Sequence, residues 1–386
     1  MDRTYTETVC AIALNSIFGF EPKIPMSMIH NLGSAEAVFN LTQDELNSIL
    51  GPFSRYSGKI CPEALDSAAR ELDALTKEGC TFVHSGMDCY PCLLKECEDA
   101  PVGLYVRSGT DPGALFGQTP CIAIVGTRDI SPYGRYWCER AVQALSFSPV
   151  RPVIVSGLAI GVDITAHRAA MECGLPTIGV SPVGITDIYP WRHRSDAEKM
   201  VSTQGCGIVT DYPRGTAPVA VNFLRRNRII AGMAQATLLI ESKVKGGGMM
   251  TARLASGYGR DVFCLPGRVD DLRSGGCNRL IADKMADCLA DPDSLPEVLG
   301  LGRWKRKSRN GLAEELERRY GGRDDYENLK RLAYAVRDER GVCLEDLCAR
   351  LDMSYMEVSR LAGELESGGI ITTDLMQRCS LDSKIS

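Results

Sequence analysis

The sequence lacks the long apolar segments of a membrane protein. None of its apolar runs approaches the roughly 20 residues that a helix needs to cross a bilayer. Its first residues also show no basic stretch leading into an apolar one, which is the pattern of a secretory signal. These absences exclude a membrane partner, and we expect a cytoplasmic protein.

Cysteine is plentiful, yet the patterns of a disulfide framework or a metal site are missing. The 16 cysteines are scattered through a chain too long to need covalent cross-links, so we interpret them as reduced thiols. Cys89 and Cys92, close to Cys97, imitate a thioredoxin-like or zinc-binding pair. Because a fourth ligand at a standard spacing is absent, ordinary packed thiols are favoured over a redox or metal site.

Common catalytic signatures are absent as well. The second and third glycines of a dinucleotide fingerprint, a Walker lysine and a nucleophile elbow are all missing. The sequence therefore predicts neither a metal nor a cofactor, and it favours binding over catalysis.

The 386 residues are enough for two or three domains, and 44% of them are apolar, as in globular proteins. Residues 1–80 predict a small helical domain, of the SAM or helix-hairpin-helix kind. The core is expected over 81–299, a basic linker over 300–324 and a winged-helix-like domain over 325–386.

Strands and helices alternate within the predicted core. This alternation predicts an α/β fold with a doubly wound, mostly parallel sheet, whose ligand site lies at the carboxyl ends of the strands. The predicted strands cover Cys121–Val125, Val153–Val155, Thr177–Val180, Gly207–Thr210, Thr237–Ile240 and Val262–Leu265.

The net charge of −5 conceals a basic centre. Residues 1–80 carry 6 basic and 11 acidic residues, whereas residues 121–268 carry 17 basic and 10 acidic residues, a net charge of +7. The middle of the chain therefore attracts anions.

Glycine-rich segments follow several strands. Gly126 and Arg128 precede a helix start at 131–134, where backbone amides and the helix dipole favour an anion. In the next such segment, Asp163 and His167 stand four residues apart. They suit either a catalytic pair or, as we favour, a helix cap and a packed histidine.

The densest basic run covers residues 222–232. If a helix begins near Leu224, Arg225, Arg226, Arg228 and Asn227 converge at its start. Phe223 suits either stacking on a base or a hydrophobic staple at the helix entry.

A triple glycine at 246–248 follows Glu241. Three successive glycines predict a close approach of the backbone to phosphate. Glu241 would repel phosphate, so we expect it to accept hydrogen bonds from an arginine or a ribose-type hydroxyl.

Taken in order, these segments resemble the DNA-processing protein A family (DprA or Smf). The similarity covers roughly residues 88–290 and rests on a dozen motifs that keep their order and spacing. The most specific are residues 123–128 with 131–134, 156–159 with 161–167, 222–232, 251–255 and 278–281.

The resemblance implies an extended Rossmann-like core that binds single-stranded DNA without sequence preference. It also implies a homodimer that helps to load a RecA-type recombinase during natural transformation, with no catalytic turnover and no cofactor. The DNA-binding residues implied at the matching positions are Arg128, Ser156, Gly157, Phe223, Arg226, Asn227 and Arg228, with Arg225 in the same run and Gly247 in the glycine segment.

The chain departs from the family pattern at a few positions. Leu224 stands where proline is common, Gly246 and Gly248 replace serines, and Lys284-Met285 replaces a Gly-Ala pair. A different function class is a nucleoside-monophosphate phosphoribohydrolase in which Glu241 assists cleavage. A third is a scaffold that acts only through its terminal domains.

Overall fold

The computed structural model describes residues 6–117, 120–302, 311–339, 341–374 and 377–382. The chain divides into two compact units, Met1–Arg303 and Trp304–Ser386. Among the described residues, no helix has the length and apolarity needed to cross a membrane. The first five basic residues of the predicted linker lie outside the described residues: Arg303, Lys305, Arg306, Lys307 and Arg309.

The first unit begins with five helices that share a hydrophobic core with the start of the sheet. A buried hydrogen bond adds to this contact, because the Asn15 side-chain amide donates to the Asp211 carbonyl at 2.8 Å. The helices are α1 (Glu7–Phe18), α2 (Lys23–Leu32), α3 (Ala35–Phe39), α4 (Gln43–Leu50) and α5 (Pro62–Lys77).

A nine-stranded sheet forms the centre of this unit. Its strands are β1 (Cys80–His84), β2 (Gly103–Arg107), β3 (Cys121–Val125), β4 (Val153–Ser156), β5 (Thr177–Val180), β6 (Gly207–Thr210), β7 (Ala236–Leu239), β8 (Asp261–Cys264) and β9 (Asp287–Cys288). Their order is β1-β2-β6-β5-β4-β3-β7-β8-β9. Strands β3 to β9 run parallel to one another, whereas β2 pairs antiparallel with both β6 and β1. The predicted mostly parallel α/β fold is confirmed.

Helices cover both faces of the sheet. In β3, Ile122 and Ile124 pack with α8 and α9, whereas Ala123 and Val125 face α11 and α12. This alternation makes the fold doubly wound. The helices are α6 (Cys92–Lys95), α7 (Pro112–Leu115), α8 (Pro132–Ser146), α9 (Val162–Glu172), α10 (Arg194–Ser202), α11 (Ala220–Met233), α12 (Gly247–Gly257), α13 (Gly275–Ala282) and α14 (Leu295–Val298).

In its described residues, the second unit contains four helices and a small three-stranded antiparallel sheet, whose middle strand comes last in the chain. Part of the predicted linker is helical here, because Leu312, Leu316 and Tyr320 recur every four residues and are buried in this unit's core. The elements are α15 (Gly311–Tyr320), α16 (Tyr326–Asp338), β10 (Val342–Cys343), α17 (Leu344–Leu351), α18 (Tyr355–Ser367), β11 (Ile371–Thr373) and β12 (Arg378–Leu381).

His167 of α9 is a packed core histidine and does not pair with Asp163. Its Nδ1 lies 2.7 Å from Thr177 Oγ1 of β5, and the residue is fully buried. The Asp163 carboxylate instead accepts hydrogen bonds from the backbone amides of Gly157 and Ala159. The catalytic-pair interpretation is therefore wrong. The packed histidine is confirmed, but Asp163 is not the helix cap, because Gly161 is the N-cap of α9.

His167 makes the stability of the first unit depend on pH. Burial, with a smaller contribution from Arg226, lowers the pKa of His167 to about 3. In the unfolded chain the imidazole titrates near 6.5, so the unfolded state binds an extra proton between these values. Stability is therefore lost as the pH falls below about 6.5, by about 2 kcal/mol at pH 5.

We expect His167→Gln to remove this part of the pH dependence. Urea unfolding of both proteins at about pH 7 and pH 5 measures it. His30→Gln, on the exposed surface of α2, is the matched control and should behave like the unsubstituted chain. If the His167→Gln variant loses as much stability from about pH 7 to pH 5 as the unsubstituted chain, the pH dependence does not come from His167.

Candidate functional site

A cavity of about 410 Å³ lies where β3 and β7 end side by side. The strand order reverses between these two strands, since β4, β5 and β6 lie beyond β3 and β8 and β9 lie beyond β7. Ligands of doubly wound folds bind in such a crevice. The loop after β3, one face of α11, and the segment from the end of β7 into α12 form most of its wall.

The loop after β3 positions Arg128 at the cavity. The Thr127 amide donates to the Glu241 carbonyl at 2.7 Å, and the Thr127 carbonyl accepts from the Val162 amide at 3.1 Å. The exposed Arg128 makes no ion pair with another described residue. Its Cζ lies 5.1 Å from the centroid of the Phe223 ring. The ring therefore orients a guanidinium group whose donors stay open to solvent.

One face of α11 forms a wall of the cavity. The helix begins at Ala220, earlier than the predicted start near Leu224, so Phe223 is the fourth residue of the helix and does not precede it. Helical spacing places four cavity residues on this face: Phe223, Arg226, Asn227 and Ile230.

Arg226 is the most buried charged residue of the cavity wall, with 3% of its surface exposed. Its guanidinium group donates to the carbonyls of Gly157, at 2.5 Å, and of Val180. Burial lowers the pKa of Arg226 to about 10, so it stays charged at neutral pH. Burial also raises the pKa of Asp163, although Arg226 opposes the rise. A Cβ at Gly157 would lie 2.6 Å from the guanidinium, which explains the glycine.

Asn227 and Phe223 give the cavity an unused amide and a fixed ring. Asn227 is only 8% exposed, and its side chain has no hydrogen-bond partner among the described residues. The half-buried Phe223 ring meets Tyr189 edge-on, with 5.3 Å between centroids. A bound molecule can therefore contact an aromatic face and an amide that donates or accepts.

The glycine segment opens α12 and leaves its first turn uncapped. Gly246 is the N-cap and offers no side-chain acceptor to the amides that follow. Gly247 is exposed, with free space where a Cβ would stand. A Cβ at Gly248 would lie 2.7 Å from Leu239 Cδ1, so the backbone approaches β7 closely. Amides at the start of a helix lack internal acceptors and carry the positive end of its dipole, which suits an anion.

Lys243 and Lys245 belong to the site, although the sequence analysis did not single them out. Both line the cavity, are exposed and make no ion pair with another described residue. The signal was present in the sequence, since both lysines lie within three residues of the triple glycine. Of the two acidic wall residues, Asp129 is paired with Arg273 at 2.9 Å and Asp163 lies beside Arg226. The cavity is therefore electropositive.

Glu241 does not face a ligand. Its carboxylate is fully buried and accepts hydrogen bonds from the Ser131 amide at 2.9 Å and the Ser131 hydroxyl at 2.5 Å. The protein's own carboxylate thus occupies the start of α8, where the sequence predicted an external anion. The prediction that Glu241 accepts hydrogen bonds from an arginine or a ribose-type hydroxyl is therefore wrong. Its carboxylate is also not placed to act as the catalytic carboxylate of a phosphoribohydrolase.

The predicted convergence of three arginines on one side of α11 is also wrong. Arg228 is buried on another face, where it pairs with Asp211 and donates to the Asp99 carbonyl. Arg225 lies against Phe20, with 3.5 Å between its Cζ and the ring centroid. A helix distributes successive side chains around its axis, so the basic run faces several directions.

Ser156 also lies apart from the cavity wall. It is fully buried, and its hydroxyl donates to the Ile124 carbonyl at 2.6 Å, which joins neighbouring strands. Its side chain is therefore not available to a ligand.

No group of metal-binding side chains occurs in the described parts of the chain. Of the three clustered thiols, Cys97 is buried, Cys89 is partly buried and Cys92 is exposed, and none forms a disulfide.

The family model for DNA recombination-mediator protein A matches residues 81–300, which is more than half of the chain. The chain is similar to Protein Smf from Synechocystis, with 40% identity over 192 residues. This alignment covers 50% of the chain and 47% of the Synechocystis protein, so the chain matches less than half of that relative's length.

Two solved structures share the fold. DNA processing protein A from Streptococcus pneumoniae gives a TM-score of 0.63 at 28% identity, covering 76% of this chain and 99% of the other. The structure of DNA processing protein A from Helicobacter pylori, which concerns the single-stranded DNA binding mode of that protein, gives a TM-score of 0.50 at 28% identity, covering 57% and 95%. Together with the matched core, these similarities show that the chain belongs to the DNA recombination-mediator protein A family.

Proposed function

We propose that the protein binds single-stranded DNA without sequence preference and mediates the loading of a RecA-type recombinase in DNA recombination and natural transformation. The observation that carries the proposal is a set of cations around one cavity that have no carboxylate partners among the described residues. Arg128, Lys243 and Lys245 surround the open first turn of α12 and the Phe223 ring. Such a surface favours a flexible polyanion that carries aromatic groups.

Phosphate groups account for the positive side of the cavity. The first-turn amides of α12 supply directed donors, and Lys243 and Lys245 supply charge beside them. Contacts of this kind hold the backbone of a strand but do not read its sequence. This supports binding that is independent of sequence.

The bases account for the aromatic side. Phe223, with Arg128 above its ring, offers a stacking surface that every base fits, and Asn227 offers an adaptable amide. Stacking on an aromatic side chain contributes about 1–3 kcal/mol per base.

The proposal includes a homodimer that acts in the cytoplasm together with a RecA-type recombinase. Its support is membership of a family described as recombination mediators. It also includes the absence of catalytic turnover, which agrees with the burial of Glu241 against Ser131.

We expect binding of oligothymidine to weaken linearly with the logarithm of the salt concentration. Arg128→Ala and Lys243→Ala should each make the slope shallower by about 0.7, because each removes one phosphate contact. Fluorescence anisotropy titrations over a salt series measure this slope. Arg268→Ala is the matched control, since Arg268 is exposed but paired with Asp270, and it should keep the slope. Unchanged slopes for Arg128→Ala and Lys243→Ala would refute the site.

Arg228→Ala should show the opposite behaviour. Its removal leaves Asp211 buried without its partner, so the free energy of unfolding should fall by about 3–5 kcal/mol. The salt dependence of DNA binding should stay unchanged at temperatures where the variant is folded. Urea unfolding together with the same titrations tests this. A shallower salt dependence of DNA binding without any loss of stability would instead indicate that Arg228 contacts the DNA.

Adenosine monophosphate separates binding from the phosphoribohydrolase alternative. We expect no release of adenine on prolonged incubation, because the Glu241 carboxylate accepts a hydrogen bond from the Ser131 amide and is not available to a substrate. Chromatography of the mixture measures it, and adenine release that is lost in Glu241→Gln would support the enzyme.

A further inference from the structure

Phe20 and Arg225 form a stacked pair outside the cavity. Phe20 lies in the turn between α1 and α2, and 49% of its surface is exposed. The Arg225 guanidinium carbon lies 3.5 Å from the centroid of its ring, and Tyr212 supports the ring from a centroid distance of 5.9 Å. The partly buried guanidinium plane is therefore held against a ring that is exposed to solvent.

Arg225 has no acceptor for its donors. Among the described residues it makes no ion pair and no hydrogen bond. Other stacked arginines differ, since a carboxylate neutralises each of them: Arg55 with Glu21, Arg194 with Glu198, Arg323 with Asp325 and Arg337 with Asp338. Like Arg225, Arg128 has no carboxylate partner among the described residues, and it stacks on Phe223 in the cavity. Both open pairs include a residue of α11.

The pair is not what attaches the N-terminal helices to the sheet. Asn15 already bonds to Asp211, and Arg214 pairs with Glu78 at 2.6 Å. A shared apolar core joins the same elements. An exposed ring beneath an unpaired charge therefore needs another explanation.

The position of Arg225 relates the pair to the cavity. Its neighbours in α11, Leu224 and Arg226, both line the cavity wall. Consecutive Cα atoms are about 3.8 Å apart, so the backbone of Arg225 lies directly beside the cavity wall. A strand that leaves the cavity across the first half of α11 reaches it.

We propose that Phe20 and Arg225 form a second contact for the same single strand, which extends the binding surface onto the N-terminal helical segment. The guanidinium plane offers a stacking face for a base, and its unpaired N–H groups offer donors to a phosphate. The inference rests on the proposed function, because it requires that the cavity holds the strand.

The dependence of affinity on oligonucleotide length tests this inference. The full chain, Phe20→Leu and Arg225→Ala are titrated with oligothymidines from about 4 to about 16 nucleotides, the range of single-strand site sizes. Short oligonucleotides that fill only the cavity should bind all three proteins equally. With long ones, each variant should bind about tenfold more weakly, which corresponds to the loss of one stacked base.

Arg55→Ala is the matched control. Arg55 also stacks on a ring of the N-terminal segment but is paired with Glu21. Its removal should therefore leave the affinity for both short and long oligothymidines unchanged. Thermal unfolding identifies a variant that fails to fold, and Arg225→Ala tests the inference if Phe20→Leu does not fold.

The outcomes are distinct. Equal affinity of the variants and the unsubstituted chain for long oligonucleotides would overturn the second contact alone. An equal loss at every length would also overturn it, because that result reports on the cavity. Failure of the unsubstituted chain to bind any oligonucleotide would contradict the proposed function and this inference together.

Discussion

The geometry of the cavity depends on the buried guanidinium group of Arg226. A buried charge is costly unless a counter-charge and hydrogen bonds compensate it. Here the guanidinium group donates to the carbonyls of Gly157 and Val180 at the ends of β4 and β5, and the Asp163 carboxylate of α9 lies near it. Arg226 connects α11 to these groups. A rotation of the helix would therefore leave the buried guanidinium charge without its hydrogen bonds. The same orientation brings Phe223 and Asn227 to the cavity, so one internal contact arranges the surface that meets the strand.

The basic residues of the core divide into two groups with different tasks. Arg226 and Arg228 are buried and meet internal acceptors, so they organise the fold. Arg128, Lys243 and Lys245 have no carboxylate partner in the described part of the chain and surround the open start of α12. A chain with a net charge of −5 can therefore present a local positive field. The count of basic residues says little about binding until their partners are known.

Six strands of the sheet, β3 to β8, and their parallel direction follow from the sequence, because short Val- and Ile-rich runs alternate with helical patterns and glycines. The outer strands β1, β2 and β9 were not predicted. The predicted bounds of β3, β5 and β6 agree with the structure. The site was harder to predict from the sequence, since it depends on contacts between residues that are far apart in the chain. Glu241 bonds to a serine 110 positions away, and Arg228 pairs with an aspartate 17 positions away. The faces of α11 depend further on its start at Ala220, which no capping residue marks.

The most direct test of the central claim is a crystal structure of the chain with a bound oligothymidine. The account predicts one nucleotide in the cavity, with its base on the Phe223 ring and a phosphate at the first-turn amides of α12, beside Lys243. Arg228 should keep its contact with Asp211 in that complex. A strand bound elsewhere on the unit, with the cavity empty and α12 uncontacted, would contradict the account.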